Sequence, residues 1–295
     1  MKTRESRGDR LFQYGVYILT VLICIVTLYP LIYAVSASLS SPEHILSGKV
    51  WLWPVDMTFD AYRRVFASND IMIGYRNTIC YALGGTLFNM IMTIMAAYPL
   101  SLPDIKGRNA LTFFITFTMF FSGGMIPKYL NIKDLGLLNS PLSVIIPGAI
   151  NVSNMLIMRN YFINSVPAAL REAADIDGAS PLATMTRIVL PLSKSILIVI
   201  ILYYMVGHWN SYFSAMMYLR DRKMQPLQVF LREILVLTQM GDLEEQSGID
   251  DLSVYLLYAS LKYAIIVVSA VPLLILYPMV QKFFERGIMM GSLKG

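Results

Sequence analysis

Charged residues make up only 15% of this 295-residue chain, against about 25% in soluble domains. That shortage argues against an ordinary water-soluble fold. Cysteine is nearly absent. Cys24 and Cys80 both fall inside apolar runs, which excludes a disulfide framework and a cysteine metal site and leaves them as small packing residues. Histidine is limited to His44 and His208, with no His/Cys spacing suited to catalytic metal chemistry. No Gly-x-x-x-x-Gly-Lys-Ser/Thr loop occurs, so the chain lacks the phosphate cradle needed to bind or hydrolyse ATP itself. Internal repeats and low-complexity segments are also missing.

What is present is apolar sequence in long uninterrupted runs. Hydrophobic residues account for 56% of the chain and mean hydropathy is +0.57. Charge-free stretches lie between Arg10 and Glu43, Arg76 and Asp104, Arg108 and Lys128, Asp134 and Arg159, Lys194 and Arg220, and Lys262 and Lys282. The shortest, 109–127 and 263–281, hold 19 residues each, and about 20 apolar residues cross a 30 Å hydrocarbon core. The pattern predicts an all-α integral membrane protein with six transmembrane helices near 12–35, 77–101, 109–127, 137–158, 195–217 and 263–281. A short segment, 1–11, precedes them and a tail, 282–295, follows. The first run is too long for the apolar core of a signal peptide, about 7–15 residues, and Leu31-Ile32-Tyr33 is no small-residue cleavage site.

The net charge of +5 does not point to nucleic acid, because in a membrane protein the position of the charge carries the meaning. Lys2, Arg4, Arg7 and Arg10 cluster before the first run and place the N-terminus in the cytoplasm. Six crossings return the C-terminus to the same side. Residues 36–75 contain Trp51, Trp53 and Pro54 and read as an interfacial loop with a short helix near Asp60 to Phe66. Residues 220–262 form the longest exposed segment, with helical spacing from Gln225 to Leu237. Asp242, Glu244, Glu245, Asp250 and Asp251 lack the alternation of an EF-hand and read as a solvated acidic face.

The cytoplasmic connection 165–191 is the most specific feature. Ser165 followed by Pro167 predicts a helix start, Gly178 a stop, and Ser180-Pro181 a second start. Glu172-Ala173-Ala174, Gly178, Ile188 and Leu190-Pro191 stand at fixed spacing. This pattern resembles the signature of the membrane subunits of binding-protein-dependent ABC importers and matches each of its fixed positions. The resemblance implies the type I ABC importer permease fold in a bacterial cytoplasmic membrane. It also implies a coupling helix, formed by Glu172, Ala173, Ala174, Asp177, Gly178 and Ala179, that docks on an ATP-hydrolysing subunit, with Ile188, Leu190 and Pro191 closing the motif.

Gly207 to Met216, Tyr218-Leu219-Arg220-Asp221 and the ending Gln281 to Gly295 are similar to the carbohydrate-uptake branch, among permeases for complex oligo- and polysaccharides such as alginate and pectin fragments. In that branch Gly287, Gly291 and Ser292 of the tail would reach the ATPase subunits; a frayed basic tail at the lipid surface is the alternative. The implied partners are a second permease, two ATPase subunits and an extracytoplasmic solute-binding protein. ATP and Mg2+ would be bound by the ATPases, and no cofactor by this chain. Polar residues inside spans are functional candidates by default, and the fifth span is richest: Tyr204, His208, Trp209, Asn210, Ser211 and Tyr212. Helical spacing predicts Tyr204, His208 and Ser211 on one face, suited to a sugar pathway. An interfacial aromatic belt is the competing explanation. Asn89, Asn151 and Asn154 rank second, either in the pathway or as interhelical hydrogen bonds. A stand-alone secondary transporter would need charges within the spans, which the six stretches lack. A membrane anchor that merely recruits an ATPase would not explain the polar fifth span.

Overall fold

The computed structural model describes residues 7–245 and 252–292, and every regular element among them is helical. In chain order these are α1 (Arg7–Ser38), α2 (Pro42–Leu46), α3 (Asp60–Ala67), α4 (Asn69–Ser101), α5 (Arg108–Phe117), α6 (Met125–Asp134), α7 (Leu142–Ile145) and α8 (Val152–Ser165). They continue with α9 (Ala168–Ile176), α10 (Pro181–Thr184), α11 (Leu190–Leu192), α12 (Lys194–Trp209), α13 (Phe213–Tyr218), α14 (Leu227–Glu245) and α15 (Leu252–Ser292). Lys2, Arg4, Asp250, Asp251, Lys294 and Gly295 lie outside the described residues. Among the described residues, three helical stretches are long and apolar enough to cross a membrane: Gly8–Ser38, Asn69–Ser101 and Tyr258–Pro278. Counting each of two bent pairs as one span brings the number to five: Leu142–Gly148 with Val152–Ser165 at 49°, and Pro181–Leu192 with Lys194–Trp209 at 86°.

The third apolar stretch departs from expectation. Residues 109–127 do not form one helix. Helix α5 stops at Phe117, three residues turn, and the chain runs irregularly to Gly124, whose φ of +87° opens α6. The Ser122-Gly123-Gly124 sequence explains the break, since glycine is poor in helices and readily takes positive φ. A charge-free run records apolarity but not this interruption.

The chain divides into two compact units. In the unit formed by 1–68 and 231–270, the long apolar part of α1 is exposed. Its Thr20 and Thr27 hydroxyls donate back to the Val16 and Ile23 carbonyls at 2.8 Å each, the internal pairing that an apolar medium demands. The loop after α1 folds back through serine hydroxyls. Ser36 Oγ donates to Leu52 O at 2.6 Å, and Ser40 Oγ accepts from the Val55 amide at 3.0 Å. Trp53 is 80% exposed on this loop, as an interfacial anchor would be, and α3 sits where the short helix was expected.

The unit formed by 69–230 and 271–295 has its core where α4, α8 and α12 pack together. Met90, Ala97, Tyr98, Met155, Met158, Phe162, Ile196 and Ile200 are buried there. Methionines let the three helices fill an irregular interior. Arg159 of α8 donates from Nε to the Leu100 carbonyl at 2.8 Å, pairing an otherwise orphaned group at the end of α4.

Candidate functional site

The 165–191 connection forms from local signals. Helix α9 spans Ala168–Ile176, but Ser165 does not cap it. Ser165 is the last residue of α8, and Pro167, with ψ of 133°, takes the cap position without a side-chain bond. The buried residues Phe162 and Val166 keep α8 packed to its end, so Ser165 lacks the extended backbone a cap requires. At the other end Gly178 has φ of +71°. Its amide bonds to Asp175 O at 3.1 Å, while the Ala179 amide bonds to Ala174 O at 2.9 Å. Those two bonds make a Schellman stop. Ser180 then caps α10 by accepting from the Ala183 amide at 3.3 Å.

Past α10, a π-turn over Met185–Val189 contains Ile188, and α11 contains Leu190 and Pro191. Thr184 Oγ1 and Ser193 Oγ are buried without a partner among the described residues, one before the π-turn and the other at the 86° bend into α12. Along α9, Ala174 is buried, whereas Glu172, Ala173, Asp177 and Gly178 are exposed and Ile176 is 86% exposed. Ala174 therefore seats the helix, and the other residues form its free face.

The fifth-stretch candidates do not form one surface. Tyr204 is only 5% exposed. Its hydroxyl meets Thr93 Oγ1 at 2.6 Å and accepts from the Asn151 amide at 3.0 Å, so it ties α12 to α4 and to the start of α8. His208 Nε2 lies 3.4 Å from Asn89 Oδ1, and Asn89 Nδ2 donates to the Gly148 carbonyl at 2.6 Å. A Cβ added to Gly85 would sit 2.5 Å from that histidine nitrogen. Trp209 is buried, edge-on to Tyr75 with ring centroids 5.9 Å apart.

Because α12 ends at Trp209, Asn210 is its C-cap and Ser211 lies beyond the helix. Ser211 therefore shares no helical face with Tyr204 and His208, contrary to the 3.6-residue spacing. Asn210 and Tyr212 are exposed and Ser211 is half-buried. Asn151 caps α8 by accepting from the Asn154 amide at 3.1 Å, an interhelical role being left to Asn89. Thr93 and Gly85 escape a reading of the sequence, because their partners lie more than a hundred residues away and neither residue is unusual in a helix.

A second ordered region lies around 219–227. Asn77 Nδ2 donates to the Lys223 and Gln225 carbonyls at 2.8 and 3.0 Å, and Tyr81 donates to Met224 O at 2.7 Å. Asn139, with φ of +55°, accepts through Oδ1 from the amides of Arg220 and Asp221 at 3.0 and 2.9 Å. Arg222 pairs with Asp70 at 2.7 Å. Gly287, Gly291 and Ser292 fall in the last turns of α15, where only the helix path is described. Among the described residues no group of three His, Cys, Asp or Glu is placed to hold a metal ion.

Residues 71–290 match the family model described as binding-protein-dependent transport system inner membrane component. The polygalacturonan/rhamnogalacturonan transport system permease protein YtcP of Bacillus subtilis (strain 168) is 39% identical, over 97% of this chain and 99% of its own. Protein LplC of the same strain is 37% identical over 92% and 90%. Among solved structures, a chain of a bacterial ABC transporter involved in the import of the acidic polysaccharide alginate superposes with a TM-score of 0.85 at 38% identity. The match covers 96% of this chain and all of that one, 100%. A chain of the alginate transporter in complex with alginate pentasaccharide-bound periplasmic protein matches at TM-score 0.64 and 16% identity, which is a likeness of fold alone.

Proposed function

Because the chain belongs to the binding-protein-dependent transport system inner membrane components, we propose that it forms one half of the membrane pathway of an ATP-driven saccharide importer. It is an inner-membrane ABC permease subunit with the type I fold. The observation that carries the saccharide reading is near-complete coverage at 38–39% identity with permeases of polygalacturonan/rhamnogalacturonan and alginate transporters. In this reading a second permease, two ATPase subunits and a solute-binding protein complete the complex, and ATP and Mg2+ are bound by the ATPases.

The chain crosses the membrane six times, with both termini in the cytoplasm. The third crossing is made by α5 and the irregular segment after it. Ten helical residues rise about 15 Å, three turn residues follow, and the four irregular ones to Gly124 add up to about 14 Å, which together approach a core of about 30 Å.

Motion enters through 165–191. The exposed face of α9, with Glu172, Ala173, Asp177 and Gly178, docks on an ATPase, and Ala179, Ile188, Leu190 and Pro191 carry the displacement to the 86° bend and α12. This produces alternating access. Gly287, Gly291 and Ser292 of the tail approach the ATPase pair. Of the fifth-stretch candidates, His208, Asn210, Ser211 and Tyr212 remain pathway residues, while Tyr204 and Trp209 support them.

The test is Gly178→Val in the complete complex reconstituted in liposomes. A β-branched residue at this φ costs about 1–2 kcal/mol and shifts the turn. The expected result is retained ATP hydrolysis with saccharide uptake reduced at least several-fold. Unchanged uptake per ATP would remove the coupling role.

A further inference from the structure

Between α6 and α13 runs a groove of about 400 Å3, lined by Met125, Ile126, Tyr129, Phe213, Met216 and Met217. Its walls are almost wholly apolar, with one polar handle, the Tyr129 hydroxyl. Arg220 Nη2 donates to that hydroxyl at 3.3 Å. The Tyr129 ring stacks on buried Tyr218, with centroids 6.3 Å apart and planes 27° apart. Asn139 fixes the backbone that presents Arg220. The arginine is exposed and forms no ion pair among the described residues. A rigid ring, an apolar wall and an unneutralised guanidinium are thus held together.

In the proposed six-crossing topology the approach to this groove does not face lipid. Residues 118–124 sit beyond about 15 Å of helix, and the amides of Phe121, Ser122 and Gly123 find no acceptor among the described residues. Lipid-exposed irregular backbone does not occur in the hydrocarbon region. It is tolerated only against protein or water.

We propose that the α6/α13 groove, entered past the 118–124 break, is a binding subsite for an acidic saccharide, with Arg220 meeting a uronate carboxylate and Tyr129 stacking on the ring. It deepens the saccharide-import reading and rests on it. Sites of this size are mostly apolar with a few placed polar groups, and a guanidinium engages a planar carboxylate through paired N–H donors. The neutral Tyr129 hydroxyl orients the guanidinium without cancelling its charge.

The test uses the complete complex in liposomes with an oligogalacturonate and its fully methyl-esterified, uncharged form. Arg220→Gln is expected to raise the half-saturating concentration for the acidic form about tenfold, the loss of one charge-assisted contact, and to leave the ester unchanged. Equal effects on both forms, or no effect on either, overturn the subsite while saccharide import stands. If the unsubstituted complex moves neither form, the acidic-saccharide subsite falls while import of another saccharide class stands. A second readout is Ser122→Cys with Cys24 and Cys80 replaced by serine. Labelling by a membrane-impermeant maleimide that the oligogalacturonate suppresses supports the subsite. No labelling, with crosslinking into the second permease, overturns it.

Discussion

His208 lies where it does because residue 85 has no side chain. Alanine there would place a carbon 2.5 Å from the imidazole, whereas nothing lies within 4 Å of the equivalent position on Gly84. Overpacking costs about 1–3 kcal/mol, so Gly85→Ala should lower the thermal midpoint of the purified complex and disturb the His208–Asn89 contact. Gly84→Ala should do neither, and equal behaviour of the two would contradict the packing. Single residues were legible in the sequence only where their work is local. Gly178, Ser180 and Pro181 announce a stop and a start because their partners lie within five residues. Gly85 and Thr93 announce nothing, because what they touch arrives from α12.

Among elements, α4, α8 and α12 form a bundle held by one phenol. Tyr204→Phe keeps the packing but leaves Thr93 Oγ1 and the Asn151 amide without their partner. A buried polar group so stranded costs about 1–3 kcal/mol. The expected outcome is a destabilised complex with unaltered half-saturation for saccharide. A changed half-saturation with full stability would instead make Tyr204 a substrate contact. Hydropathy revealed where apolar helix occurs but not how it is interrupted. It merged α5 and α6 across Ser122-Gly123-Gly124, and it extended the fifth stretch past Trp209 although the helix ends there. In both places the backbone changes direction while the sequence stays free of charge.

On the scale of the whole molecule, identity with known permeases runs across nearly the full chain, while the two units leave α1 largely exposed along its apolar length. The proposed assembly holds one copy of this chain, one of a second permease and two ATPases. Native mass spectrometry of the co-expressed complex should return that stoichiometry. Two copies of this chain forming the membrane core would refute the heterodimer.

In the proposed coupling, the 86° bend at Ser193 makes 181–192 the short arm of a crank whose long arm is α12. Sixteen residues reach about 24 Å, so a turn of about 10° at the bend sweeps the Trp209 end through about 4 Å. That distance compares with the width of a sugar ring's flat face. Under that proposal a small push on α9 would be geared up where His208 and Asn210 stand, and Tyr204, bonded to Thr93 and to the Asn151 amide partway along the long arm, would pin the crank.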